Sequence, residues 1–194
     1  VLNADPRFFK ETKQLMSIPF GEAIELAYYG AKVIHPRTIQ PLQRKSIPLE
    51  VKSFQNIHNE STVIGDFKDI IPCIPSFIVK EDQILISVSD KNLSFIVEEH
   101  LSSIFLLFSK FDTRVNMMQN SAVSFSFCVD YDRYKVNALL MELRNNFNVH
   151  FNEKLTMYTI RHYDDDSISD ILKDKVLLLE QKSRHTVHLV VKEG

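Results

Sequence analysis

Val97-Glu-Glu-His-Leu-Ser-Ser-Ile-Phe-Leu-Leu-Phe-Ser-Lys-Phe111 is followed at once by Thr113-Arg-Val-Asn-Met-Met-Gln119 and Val123-Ser-Phe-Ser-Phe-Cys-Val-Asp130, and the change of period decides the fold. Leu101, Ile104, Phe105 and Phe108 fall at i, i+3, i+4 and i+7, one apolar stripe of a helix over Val97–Phe111. The next two segments alternate as strands do, joined by Asn120-Ser121-Ala122. Working outward, Gln83–Ser89 also alternates. Tyr134–Asn146 carries Leu139, Leu140 and Leu143 as a second helix, and Asn148–His162 is strand-like through Val149, Phe151, Met157 and Ile160. The order β-α-β-β-α-β predicts an α+β, ferredoxin-like unit with both helices on one face of an antiparallel sheet. The tail begins the same order again: strand Leu155–Arg161, helix Ser167–Lys173, strands Val176–Gln181 and Thr186–Lys192. A complete unit takes about 65–75 residues, so this second one is expected to be short and to lack its second helix.

The first third reads differently. Residues 20–30 place Ala23, Leu26 and Ala27 on one helical face with Glu22 and Glu25 off it, and Gly30 stands where a left-handed C-terminal glycine belongs. Pro36 suits the first turn of a helix reaching about Lys45. Ile47–Ser53 and Thr62–Gly65 read as strands, 54–62 as a loop. Helices and strands without a closed sheet suggest the last portion of an α/β domain.

Composition narrows the chemistry. Of 194 residues, 44% are hydrophobic and 25% charged, with 23 basic and 25 acidic side chains. That balance predicts no nucleic-acid partner. No apolar run approaches the ~18 residues of a membrane span. The four glycines, Gly21, Gly30, Gly65 and Gly194, leave no Walker A loop and no GxGxxG, so any nucleotide chemistry is expected to come from side chains or from a part of the protein outside this sequence. Asp164-Asp-Asp166 reads as a helix start rather than a metal site, since acids there complement the helix dipole. Cys73 and Cys128, 55 positions apart, are expected to be buried thiols of a cytoplasmic protein. Met117-Met118 and the Phe105, Phe108, Phe111 group are expected in the core. His185 and His188 are expected on opposite sides of a strand, His100 in a loop and His35 in a structural role; no metal site is expected.

Three stretches resemble the aspartokinase family: Asn3-Ala-Asp-Pro-Arg7, Gly30-Ala-Lys-Val-Ile-His-Pro-Arg-Thr38, and Ser46-Ile-Pro-Leu-Glu-Val-Lys52 followed by Ser61-Thr-Val-Ile-Gly65. The resemblance covers 1–65 by motif and the rest by pattern, the βαββαβ unit and its half-repeat resembling tandem ACT domains. It implies an α/β amino-acid-kinase segment over 1–67, a first ACT domain with a linking strand over 68–153 (Cys73–Val79 being that strand), and a shortened second ACT unit over 154–194. The implied reaction is transfer of the ATP γ-phosphate, with Mg2+, to L-aspartate, giving 4-phospho-L-aspartate. By motif match Arg7 approaches the phosphates, Lys32 and the backbone of Val33 contact nucleotide, and Leu2 stands where the family has an aromatic residue near the adenine. Two cations spread the charge of a transferring phosphoryl group without help from glycine. No catalytic residue is expected within 1–194, because the family's glycine-bearing lysine strand, catalytic aspartate and aspartate-binding residues lie upstream. Starting on Val1, the chain is read as part of a longer protein and is expected to be inactive alone.

The resemblance further implies a homodimer through the ACT domains, with an amino-acid effector such as lysine or threonine between two subunits. Its contacts would come from Ser94, Glu98, Glu99, His100 and Leu101 around the first ACT helix, and from Arg114, Val115, Asn116 and Ser121 on and after the facing strand. Lysine-sensitive members carry an aspartate where this chain has Asn116, and Glu98-Glu99-His100 stand where they have a glycine. Loss of a charge-assisted bond costs about 1.5–3 kcal/mol, so weak lysine binding is expected, unless Glu98 or Glu99 replaces the missing carboxylate. Two other readings stay open: a stand-alone ACT sensing module, and the middle of a bifunctional aspartokinase–homoserine dehydrogenase.

Overall fold

The computed structural model describes residues 1–31, 35–54, 60–92 and 94–194. Short elements come first: β1 (Ser17–Pro19), α1 (Phe20–Tyr29), α2 (Pro36–Arg44), β2 (Leu49–Val51) and β3 (Thr62–Gly65). Longer ones follow: β4 (Ser76–Asp90), α3 (Glu98–Lys110), β5 (Val115–Asn120), β6 (Ser124–Asp130), α4 (Arg133–Asn146) and β7 (Phe147–Arg161). The tail adds α5 (Asp165–Leu172), β8 (Lys175–Lys182) and β9 (Thr186–Glu193). Two sheets result, a three-stranded one ordered β1-β3-β2 and a six-stranded one ordered β5-β6-β4-β7-β9-β8. Within the larger sheet β5-β6-β4-β7 is the ferredoxin-like strand order, with β6 antiparallel to both β4 and β5.

The contacts define two compact units, one of residues 1–79, 158–174 and 180–189, the other of 80–157, 175–179 and 190–194. In the first, Leu15, Ile18, Phe20, Leu26, Ile39, Ile64 and Ile78 form the core beneath α1 and α2. In the second, Ile84, Ile86 and Val88 of β4 and Phe125, Phe127 and Val129 of β6 meet Ile104 and Phe108 of α3 and Leu139, Leu140 and Leu143 of α4. The opposite sheet face carries a smaller cluster of Met117, Cys128, Leu155, Met157 and Val190. No helix among the described residues is long and apolar enough to cross a membrane.

Several expectations need correction. The alternation seen over Gln83–Ser89 belongs to one 15-residue strand that already begins at Ser76 and bends at Asp82, whose φ is 51°. Glu22 is buried, because a basic partner awaits it at the far end of β7. Phe105 is 42% exposed and Met118 48%, since α3 presents only Ile104 and Phe108 squarely to the sheet and Met118 points to the opposite side of β5 from Met117. His100 lies in the first turn of α3. Cys73 is exposed. Cys128 is buried, and burial pushes its thiol up to about 12. Since thiolate is the reactive form, a maleimide at pH 8 is expected to label one thiol per native chain and two in denaturant. Equal labelling of both in the native state would contradict this burial.

Candidate functional site

The residues matched to a nucleotide site begin on the N-terminal loop. Asp5 organises it: its carboxylate accepts from the Arg7 backbone N–H at 2.9 Å, and its carbonyl accepts from Phe8 and Phe9 N–H at 3.0 and 3.1 Å. The same carboxylate takes the Arg7 guanidinium side-on, with Nε 3.0 Å from both oxygens. The Arg7 side chain is nonetheless 70% exposed, so the pair fixes the plane of an accessible cation and adds little stability. An anionic oxygen suits such a planar fork. Leu2 sits on the same loop, half exposed, in a bridge to Gln14.

Helix α1 ends on Gly30, whose φ of 120° few other residues adopt, and Gly30 and Ala31 N–H close the last turn on Ala27 and Leu26 carbonyls. Lys32 and Val33 lie outside the described residues. His35 caps α2, its Nδ1 accepting from Arg37 N–H at 3.2 Å, which supplies the structural role expected of it. A cleft of about 300 Å³ opens at the start of α1 between Phe20, Gln43 and Phe67. Among the described residues no group of three or more His, Cys, Asp and Glu is arranged to hold a metal ion.

The residues matched to an effector site divide into two sets. Around the start of α3, Asp90 accepts from Asn92 and Ser94 N–H, which holds its carboxyl below the usual range. Glu98 and Glu99 are exposed on the first turn, and His100 Nδ1 accepts from Val97 N–H at 3.2 Å. Ile96 N–H donates to Ala122 O at 2.9 Å, bringing this loop to the turn where Ser121 and Ser124 bond each other. Leu101 and Val115 are partly buried against the helix-side core.

Asn116 belongs to the other end of β5. The β5–β6 register slips between Val115 and Met117, a bulge that re-aims a side chain. The Asn116 amide donates to Gln83 Oε1 at 2.8 Å and Asp130 Oδ1 at 2.9 Å, while its oxygen accepts from Lys80 Nζ at 2.8 Å. Gln83 in turn donates to Asp130 at 2.8 Å. Burial lowers the Lys80 ammonium's pKa, Asp130 opposing and exposed Arg114 reinforcing the shift. The amide that resemblance assigns to an effector's amine thus already holds an amine, from its own chain. Ser121 lies five residues on, about 16 Å along a strand at ~3.3 Å per residue. The two sets therefore do not meet within one chain.

A third cluster had no local signal in the sequence. The Glu22 carboxylate of α1 is gripped by Arg161 of β7, with Nε 3.0 Å from Oε1 and Nη2 2.6 Å from Oε2, while Nη1 donates to Thr186 Oγ1 at 2.6 Å. His162 Nε2 lies 3.2 Å from the same carboxylate. Nearby, His188 bonds Thr159 at 2.9 Å and meets the Tyr29 ring edge-on.

No family model matches the chain. It is 27% identical over 218 aligned positions to the bifunctional aspartokinase/homoserine dehydrogenase of Buchnera aphidicola, covering all of this chain and 26% of that protein. It is 26% identical over 167 positions to the lysine-sensitive aspartokinase 3 of Escherichia coli, covering 82% of this chain and 37% of that one. The fold superposes on Clostridium acetobutylicum aspartate kinase with a TM-score of 0.82 at 18% identity, over 98% of this chain and 48% of that one. The chain thus spans between 26% and 48% of the length of these proteins.

Proposed function

This chain belongs to the aspartokinase family, matching its C-terminal regulatory region, and on that premise we propose that it regulates and completes a cytoplasmic aspartate kinase. The intact protein would transfer the ATP γ-phosphate to L-aspartate. Residues 1–67 would close the kinase domain, 68–153 would form the first ACT domain with its linking strand, and 154–194 the shortened second. One observation carries this reading: the ferredoxin-like sheet follows the α1–β3 segment in the aspartokinase order over 98% of the chain. Arg7, exposed and held flat by Asp5, has the chemistry for a nucleotide phosphate. Mg2+ would arrive with the nucleotide and be held largely by its phosphates.

Dimerisation through the ACT region belongs to the same proposal. The separation of Asn116 from Ser94 and Glu98 supports an effector site built from two copies, since one amino acid cannot reach both ends of β5. The occupied Asn116 amide supports weak response to lysine. The Buchnera relative favours a second reading, in which the intact protein also carries a homoserine dehydrogenase.

The full-length protein is expected to release ADP only when ATP, Mg2+ and L-aspartate are all present. Arg7→Ala is expected to raise the KM for ATP about tenfold or more, from loss of a charge-assisted bond of ~1.5–3 kcal/mol. Turnover independent of aspartate would overturn the reading. In the same assay, strong inhibition by sub-millimolar lysine would overturn the assignment of Asn116.

A further inference from the structure

We infer that Arg161 is a positioning residue for phosphoryl transfer, acting through Glu22 to fix helix α1 and the Gly30 turn that ends it. The inference rests on the aspartokinase reading, in which the motif that opens on Gly30 contacts the nucleotide.

Four observations converge. Glu22 is the only charged side chain that is buried among the described residues. It is not there for want of room outside, since the helix has an exposed face at Gly21 and Tyr28. Its carboxylate accepts two guanidinium bonds, and the remaining guanidinium nitrogen donates to Thr186 of β9, so Arg161 is itself braced. The next residue, His162, holds a left-handed backbone with φ 54°, uncommon outside glycine, and brings its ring nitrogen to 3.2 Å from the same carboxylate. Finally, α1 starts on Pro19 with no side-chain cap. A helix without a side-chain cap lacks one local anchor at its start, which leaves more of the work to contacts such as the one at Glu22.

Geometry carries the effect onward. Gly30 stands eight residues beyond Glu22, about 12 Å at 1.5 Å per helical residue. A helix transmits displacement as a rod, so a slip at Glu22 reappears at the Gly30 turn. Bidentate geometry matters more than charge here: a lysine at position 161 would keep the cation but lose the fork and the bond to Thr186.

The test uses the full-length protein. Arg161→Lys is expected to fold, to raise the KM for ATP at least fivefold and to leave the KM for aspartate unchanged. Arg161→Met is expected to show a larger change in the same direction. Amide exchange over residues 21–31 is expected to quicken at least tenfold in Arg161→Lys while residues 134–145 of α4 keep their wild-type rates; general loosening would move both. A folded Arg161→Lys enzyme with unchanged KM for ATP, or unchanged exchange in α1, overturns the assignment while the kinase reading stands. A wild-type protein without aspartate-dependent turnover overturns that reading, and this assignment with it.

Discussion

Arg161→Met will lower the free energy of unfolding by about 3–5 kcal/mol at neutral pH, the usual consequence of removing one partner from a buried ion pair. The Arg161 and Glu22 side chains are only 12% and 9% exposed, so solvent does little to screen the pair or to rescue the carboxylate left behind. Burial by itself would push the Glu22 carboxyl up. The hydrogen bonds and charge of Arg161, with His162 beside it, hold it below its ordinary 4.5. The sign follows. In the wild type this contribution is present above about pH 4.5 and fades as pH falls through the depressed value. In Arg161→Met the unpaired carboxylate is worst off at neutral pH and is relieved by protonation, so the gap between the two proteins narrows on acidification. Denaturant titrations at pH 7 and pH 4 measure it. A deficit under 1 kcal/mol at pH 7, or one that widens in acid, would show that the pair carries no such load. Glu22→Met with Arg161→Met should recover much of the loss, since apolar side chains of similar volume replace such pairs well.

Phe127→Ala should cost a similar ~3–5 kcal/mol, for a different reason. Phe127 is wholly buried at the centre of β6, its ring edge-on to Phe108 of α3 at 4.6 Å and tilted against Phe125 at 5.7 Å. Truncation leaves a cavity walled by a sheet and two helices, none of which can close in without moving the others. Phe105→Ala is the internal comparison. That ring touches Phe108 and Phe125 but is 42% exposed, so its loss should cost less than half as much. Equal losses at the two positions would mean that α3 packs on a different face.

What the sequence disclosed and what it concealed divide along physical lines. Apolar period is a local property, and α3, α4 and β6 stood out through Ile104, Phe108, Leu139, Leu143 and the alternating Phe125 and Phe127. Capping is local too, and the Asp164 carboxylate does accept from Ser167 N–H at 2.8 Å at the start of α5. Long-range partnership is not local. Glu22 counted as a solvent-facing acid because the residue that neutralises it lies 139 positions away. The polar run Glu81-Asp-Gln83 hid the continuity of β4, since nothing nearby announces that Gln83 will find Asp130 and Asn116. Of the residues matched to a nucleotide site, motif singled out Arg7 but could not say that Asp5 would hold its guanidinium. The residues matched to an effector site are read as lying between two subunits, and the strand register shows how far Asn116 stands from the turn at Ser121 within one chain.

The Lys80–Asn116 contact has a practical bearing on redesign. Anyone wishing to make this protein answer to a small amine at the place the family resemblance marks would begin by putting a carboxylate at position 116. That acid would find an ammonium 2.8 Å from the existing oxygen and be neutralised from within before any metabolite arrived. The engineering problem therefore starts one strand away, at Lys80, whose removal must come first or the new receptor is built already full.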